Sequence, residues 1–251
     1  MATYVLVHGG GHGGWCYQRV ARLLRAAGHE VHAPSLTGLG ERSHLVGPEV
    51  DLDTHIRDIT SLLYYEDLSD VILAGHSYGG MVITGAADQA ADRIGRLVYL
   101  DAATPENGQS LAALAGEYIT WTRQFGKTVD GVELVLQPET TDVGMWYGVT
   151  DPDDTSWMNA RLTPHPWKCF EQPLVLTNEA ASQAIPRYHI VCTSTLATRD
   201  PALINEARAA GRLWDIDTGH DLMITEPRKV AEALLEIAAH GSATISRDDL
   251  P

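Results

Sequence analysis

The sequence predicts an α/β fold: a mostly parallel six-stranded sheet flanked by helices, with a helical cap inserted after the fourth strand. Short β-branched or apolar runs alternate with helix-period segments, the pattern of parallel strands joined by crossover helices. The turns after the first and third runs are rich in glycine. One long stretch, 105–186, breaks the alternation.

The first strand is read at Thr3–Val7. The run Gly9-Gly10-Gly11-His12-Gly13-Gly14 follows it and leads into a helix over Trp15–Ala27. A second strand, Glu30–Pro34, precedes a loop rich in Gly, Ser and Pro. Ile56, Ile59, Leu62 and Leu63 set a helical period over Asp53–Tyr65. Val71–Ala74 is wholly apolar, as a strand buried on both faces should be. A helix over Gly79–Ala91 comes next, then Leu97–Leu100 running into Asp101. Tyr188–Cys192 and Leu213–Ile216 complete the six strands. A last helix spans Glu226–Ala239, with Thr225 as its expected N-cap and Pro227 in the first turn, where proline is tolerated. The core is thus expected at 1–104 and 187–241. The polar tail at 242–251 is expected to lack regular structure.

The interruption at 105–186 holds four of the six tryptophans (Trp121, Trp146, Trp157 and Trp167) and both phenylalanines. Its position, above the carboxyl ends of the strands, is that of a lid. The plainer alternative is a helical decoration with a small core of its own. On the lid reading, Trp121, Phe125, Met145, Trp146, Tyr147 and Trp157 are the candidate walls of an apolar or aromatic substrate pocket.

The 251 residues are 44% hydrophobic and 20% charged, with a formal net charge of −15. So acidic a chain repels phosphate backbones and anionic membrane surfaces, which excludes nucleic acid as an expected partner. No apolar run reaches the roughly 18 residues that a membrane span requires. Met1 is followed almost at once by a strand, without a basic leader, so a cytoplasmic setting is expected. Cys16, Cys169 and Cys192 are odd in number and form no CxxC motif, which argues against a zinc ribbon or a disulfide scaffold. Cys16 and Cys192 are expected to pack in the core. No segment argues for a partner chain, although a homodimer is possible.

Gly75-His76-Ser77-Tyr78-Gly79 lies between a strand and a helix. This is G-x-S-x-G in the setting that gives it meaning. A sharp turn favours glycine on both sides and lifts the serine hydroxyl above the sheet, at a helix N-terminus. Ser77 is therefore the candidate nucleophile. Acyl transfer also needs two N–H donors aimed at the developing oxyanion. Tyr78, the residue after the nucleophile, is one, and Gly10 in His8-Gly9-Gly10-Gly11 is the other. A dinucleotide-binding turn is the rival reading of these glycines, but Pro34-Ser35 stands where a ribose-binding acid would be expected. His8 and His12 have no cysteine or carboxylate cluster to make a metal site with them. Among eleven histidines, His220 follows the last strand and precedes the last helix, which makes it the candidate base.

Val5-Leu6-Val7-His8-Gly9 with His12-Gly13-Gly14-Trp15, the Gly75–Gly80 turn, Tyr188–Thr193 and Gly219-His220 through Glu226-Pro227 occur in an order that resembles the α/β-hydrolases. The closer resemblance is to the plant methylesterase and hydroxynitrile lyase group and its bacterial esterase relatives. It covers nearly the whole chain and is looser in the insert. It implies the α/β-hydrolase fold, a Ser–His–acid triad, no cofactor, and small esters or lactones as substrates.

The chain departs from that group twice. Asp221 stands where the lyases carry lysine, which resembles the esterases. Thr195 stands where the plant enzymes place the triad aspartate. Asp101, at the end of the strand after the nucleophile helix, is the favoured substitute. Asp200, in the lengthened loop before Pro201, could serve or could cap the next helix. Asp217 and the lack of any acid are the remaining alternatives. Ester hydrolysis through an acyl-enzyme on Ser77 is the expected reaction. The alternative is a non-hydrolytic lyase or cyclase that uses His220 as base on the same fold.

Overall fold

The computed structural model describes residues 1–240. The tail at 242–251 lies outside the described residues. Among the described residues there are nine strands: β1 Thr3–Val7, β2 Glu30–His32, β3 Val71–His76, β4 Ile94–Leu100, β5 Lys127–Val129, β6 Val132–Val135, β7 His165–Pro166, β8 Arg187–Cys192 and β9 Leu213–Ile216. Six of them form one sheet in the order β2-β1-β3-β4-β8-β9. Every pairing in it is parallel. The order reverses beside β1, so loops from both halves converge above the carboxyl ends of β1, β3 and β4.

Side chains alternate across the sheet and feed two cores. Val5, Val7, Val71, Leu73, Leu97 and Tyr99 pack under the helices Leu52–Tyr65 and Gly79–Gln89. Tyr4, Leu6, Ile72, Ala74, Val98, Leu100 and Ile190 face Gln18–Ala26 and Pro227–Ala239. With both faces covered, the central strands read as unbroken apolar runs, which is why the sequence reveals them.

Boundaries differ where local chemistry decides them. The second strand stops at His32 because its pairing with β1 involves only Glu30, Val31 and His32, and Pro34 has no N–H to extend it. Trp15 lies in a 3₁₀ turn, Gly14–Tyr17, before the helix begins at Gln18. Asp51 caps the second helix, its carboxylate accepting from Thr54 N–H at 2.9 Å. Thr225 does not cap the last helix. It ends a separate turn of helix, Leu222–Thr225, and its hydroxyl is engaged with Thr218 at 2.6 Å.

The inserted segment is not only helical. β5, β6 and β7 make a small antiparallel sheet within it. Asp130-Gly131 joins β5 to β6 with φ values of +49° and +81°. Positive φ at both turn residues is the geometry that Asp-Gly favours in a two-residue hairpin.

The turn at Ser77 leaves no room for side chains around it. A Cβ on Gly75 would stand 2.5 Å from the Gly79 carbonyl oxygen, and one on Gly80 only 1.9 Å from that of Ala103. Both obstacles are backbone, so neither can swing aside. Gly80→Ala is expected to cost about 3 kcal/mol by overpacking. A chain of this size should then melt roughly 6–12 °C lower in a thermal scan.

Candidate active site

β3 delivers Ser77 and β4 delivers Asp101. Both residues sit just past a strand end, and both adopt positive φ, +52° and +46°. Non-glycine residues in this region are strained and cluster where function over-determines the backbone. Ser77 is half-buried. Its amide reaches back to the Leu100 carbonyl, and its own carbonyl accepts from Gly80 and Ala103. No hydrogen bond links its hydroxyl to His220 among the described residues, a separation that substrate-free sites often show before they tighten.

His220 and Asp101 are directly joined. His220 Nδ1–H donates to Asp101 Oδ2 at 2.5 Å, with the imidazole 19% exposed and the carboxylate fully buried. The other carboxylate oxygen accepts from Thr195 Oγ1 at 2.6 Å and faces the Arg199 guanidinium at 2.7 Å. Arg199 also donates to the carbonyls of Asp101 and Ala102. The Cys192 thiol lies 3.1 Å from Asp101 Oδ2, so this buried cysteine borders the site as well as the core. Asp200 caps the helix Pro201–Ala209 by accepting from Ala202 N–H. Asp217 accepts from Thr193 Oγ1 at the surface.

Electrostatics follow from this packing. Burial works to raise the Asp101 carboxyl. The His220 hydrogen bond and charge, Arg199 and Thr195 outweigh it and hold the acid far below the usual carboxylate range. Burial would lower the His220 imidazole, but the Asp101 hydrogen bond and charge, with Cys192 and Asp221 nearby, push it up to about 9. His76, fully buried beside Ser77, is lowered to about 3 by burial and by the neighbouring His220. It is neutral, and its Nε2–H donates to the His220 carbonyl at 3.0 Å.

Neither the Gly10 nor the Tyr78 N–H has a hydrogen-bond partner among the described residues. Gly9 presses on Ser77: a Cβ there would meet Ser77 Cβ at 2.9 Å. Tyr78 is fixed from behind. Its hydroxyl donates to His55 Nδ1 at 2.8 Å, while His55 Nε2–H donates to the Thr37 carbonyl. The loop bearing His220 is anchored on the insert by Asp221 N–H donating to the Tyr147 carbonyl. There Gly219 meets Gly148 so closely that a Cβ on either would clash with the other's backbone.

Trp121, Met145 and Trp146 line an open cavity of about 640 Å³ together with Glu117, Tyr118, Thr120 and Gln124. Trp121 stacks on Trp146 with centroids 5.5 Å apart, and Phe125 packs edge-on against Trp121. Tyr118 was not singled out by the sequence, yet it packs on Trp146 and feels the charges of Asp221 and Asp101. Tyr147 lies elsewhere, buried edge-on against His12. Trp157 packs against Trp15 and lies under Arg19 and Arg161, away from this cavity. Leu136 and Phe170 are further neighbours of Gly10 that the sequence did not mark.

Among the described residues two sets have metal-ligand composition: buried His55/His165/Cys169, and Asp101/Cys192/His220, of which His220 is half-buried. In the first, His55 uses both nitrogens on Tyr78 and Thr37, and His165 Nδ1 accepts from Gly11 N–H. In the second, Asp101 already faces Arg199 and His220. Most of these donor atoms are committed to the protein itself, His165 Nε2 being buried without a hydrogen bond.

Residues 4–233 match the model of the alpha/beta hydrolase family. The carbendazim hydrolyzing esterase of Nocardioides sp. (strain SG-4G) is 40% identical over 247 residues, 93% of this chain and 98% of that protein. Pheophorbidase of Raphanus sativus is 30% identical over 74% of each chain. An extracellular alpha/beta-hydrolase from a Paenibacillus species superposes with a TM-score of 0.77 at 24% identity, covering 94% of this chain and 98% of that one. The chain belongs to the alpha/beta hydrolase family. Within it the chain falls among the carboxylic ester hydrolases. Among the described residues, no helix is long and apolar enough to cross a membrane.

Proposed function

We propose that the protein hydrolyses a small, neutral, largely apolar or aromatic carboxylic ester or lactone through an acyl-enzyme on Ser77. The observation that carries this reading is the 2.5 Å hydrogen bond from His220 to buried Asp101, beside a serine at a strained strand–helix turn. In the proposed reaction, Ser77 Oγ attacks the ester carbonyl carbon while His220 Nε2 takes its proton. The oxyanion forms between the N–H groups of Gly10 and Tyr78. His220 then gives the proton to the leaving alcohol. A water attacks the acyl-enzyme by the same route, releasing the acid and freeing Ser77. Arg199 and Thr195 are assigned the role of holding Asp101 ionised and oriented.

A flat acyl group is assigned to the aromatic cavity, whose lining comes wholly from the insert and includes neither Ser77 nor His220. Among its lining residues the only acidic or basic side chain is Glu117, which disfavours an anionic substrate. The relatives' names agree with small esters. A cytoplasmic setting suits three free, buried thiols.

The test is intact mass after treatment with a fluorophosphonate. Wild type is expected to gain one adduct and Ser77→Ala none. A well-folded wild type that gains no adduct would sink the acyl-enzyme reading.

A further inference from the structure

The Gly9-Gly10-Gly11 loop has no side chains with which to fix itself, yet its peptide groups must point one way for Gly10 N–H to face an oxyanion. Three fully buried histidines do the fixing. His8 Nδ1–H donates to the Gly9 carbonyl at 2.8 Å, while its Nε2 accepts from Leu36 N–H. His165 Nδ1 accepts from Gly11 N–H at 3.2 Å. His12 Nδ1–H donates to the Gly10 carbonyl at 2.7 Å. A peptide oxygen can only accept and a peptide N–H can only donate, so these bonds dictate each ring's tautomer.

His12 differs from the other two in having an acidic partner. Its Nε2 is 2.8 Å from Asp221 Oδ2, and both side chains are fully buried. The carboxylate accepts, so both nitrogens of His12 donate. Burial works to raise Asp221, but His12 and then His76 and His220 hold it below its ordinary value. Asp221 Oδ1 has no hydrogen bond and lies 3.6 Å from His76 Nε2. Asp221 follows His220 directly in the chain. The pair therefore ties the loop that carries the base to the loop that carries the oxyanion donor.

We propose that His12, held by Asp221, is a positioning residue: through the Gly10 carbonyl it fixes the Gly10–Gly11 peptide, next along from the His8-held peptide that carries the Gly10 N–H, and so sets the place of Gly10 relative to His220. This rests on the acyl-enzyme reading above. The pair touches no substrate and acts through the two loops. A structural role alone would lower stability and leave the balance between binding and turnover unchanged, whereas a positioning role weakens the transition state selectively.

The experiment compares wild type, His12→Ala and the double variant His12→Asn/Asp221→Asn on p-nitrophenyl acetate, with melting temperatures in parallel. An asparagine amide nitrogen at position 12 takes the place of the imidazole Nδ1 and can still donate to Gly10, with no unpaired charge left buried. His12→Ala is expected to lower kcat by about 10–100-fold, somewhat less than deleting an oxyanion donor outright. KM should stay within about twofold. A phenyl trifluoromethyl ketone, whose adduct with Ser77 bears an oxyanion, should lose affinity by the same factor. The double variant keeps the bond to Gly10 but loses the tie to the His220 loop, so it should recover part of both losses. The proposal is overturned if kcat stays within about threefold of wild type, if only KM moves, if ketone affinity does not follow kcat, or if the double variant recovers nothing. Should His12→Ala fail to fold, the double variant is compared with His12→Val/Asp221→Asn, and equal turnover overturns the proposal. A wild type that takes no fluorophosphonate on Ser77 defeats the acyl-enzyme reading and this one with it. A labelled wild type with unmoved variants defeats only the positioning role.

Discussion

Asp101→Asn is expected to lower turnover by up to about 10⁴, while Asp200→Asn leaves it within about twofold. The carboxylate does two things that an amide cannot. It accepts from His220 Nδ1–H, which leaves Nε2 free to take the serine proton, and its charge stabilises the imidazolium that results. An asparagine in its place would offer Arg199 a weaker partner and could turn an N–H toward His220, favouring the wrong tautomer. The substitution preserves volume, and Arg199 is partly exposed, so the variant should fold. Asp200 holds one helix end through Ala202 N–H, and a cap is replaceable by asparagine at little cost. Turnover of p-nitrophenyl acetate by the two variants checks this. An Asp200→Asn enzyme that loses activity while Asp101→Asn keeps it would reverse the assignment of the acid.

The same residues show how far the sequence could be read. The central strands are legible because burial on both faces demands apolar runs, and the Gly75–Gly80 turn because steric crowding demands glycine. Thr195 announces its own oddity, a neutral residue where the resemblance leads one to expect an acid. Its actual contact is a hydrogen bond to Asp101, 94 positions away along the chain. Arg199 is 98 positions from Asp101, and no periodicity links such a pair. Pairings of this kind arise only when β4 and β8 are laid side by side. In the insert, tryptophan content marked aromatic walls but not which rings face the cavity. Short helices and loops carry no strong period, so Trp121 and Trp157 look equivalent in sequence and lie in different places. The Asp130-Gly131 hairpin was readable from its turn residues, and it was the helical expectation for the insert that hid it.

The pH profile of kcat/KM should rise through the neutral range to a limb near pH 9. The free enzyme needs His220 neutral to accept the Ser77 proton, and its folded value is pushed up to about 9 from an ordinary 6.5. Between pH 7 and 9 the neutral fraction grows from about 1% to about half, so kcat/KM should grow about 50-fold. The sign for stability is opposite. A histidine raised on folding stabilises the folded state fully below about 6.5, and that contribution is lost as pH climbs through about 9. The enzyme should thus gain activity over the window in which the His220–Asp101 pair ceases to contribute to its stability. In Asp101→Asn the largest raising influence is gone, burial acts with less opposition, and the limb should move to lower pH together with a lower plateau. A wild-type limb at or below 6.5 would mean that burial outweighs Asp101, and the carboxylate would then act by orientation rather than by charge.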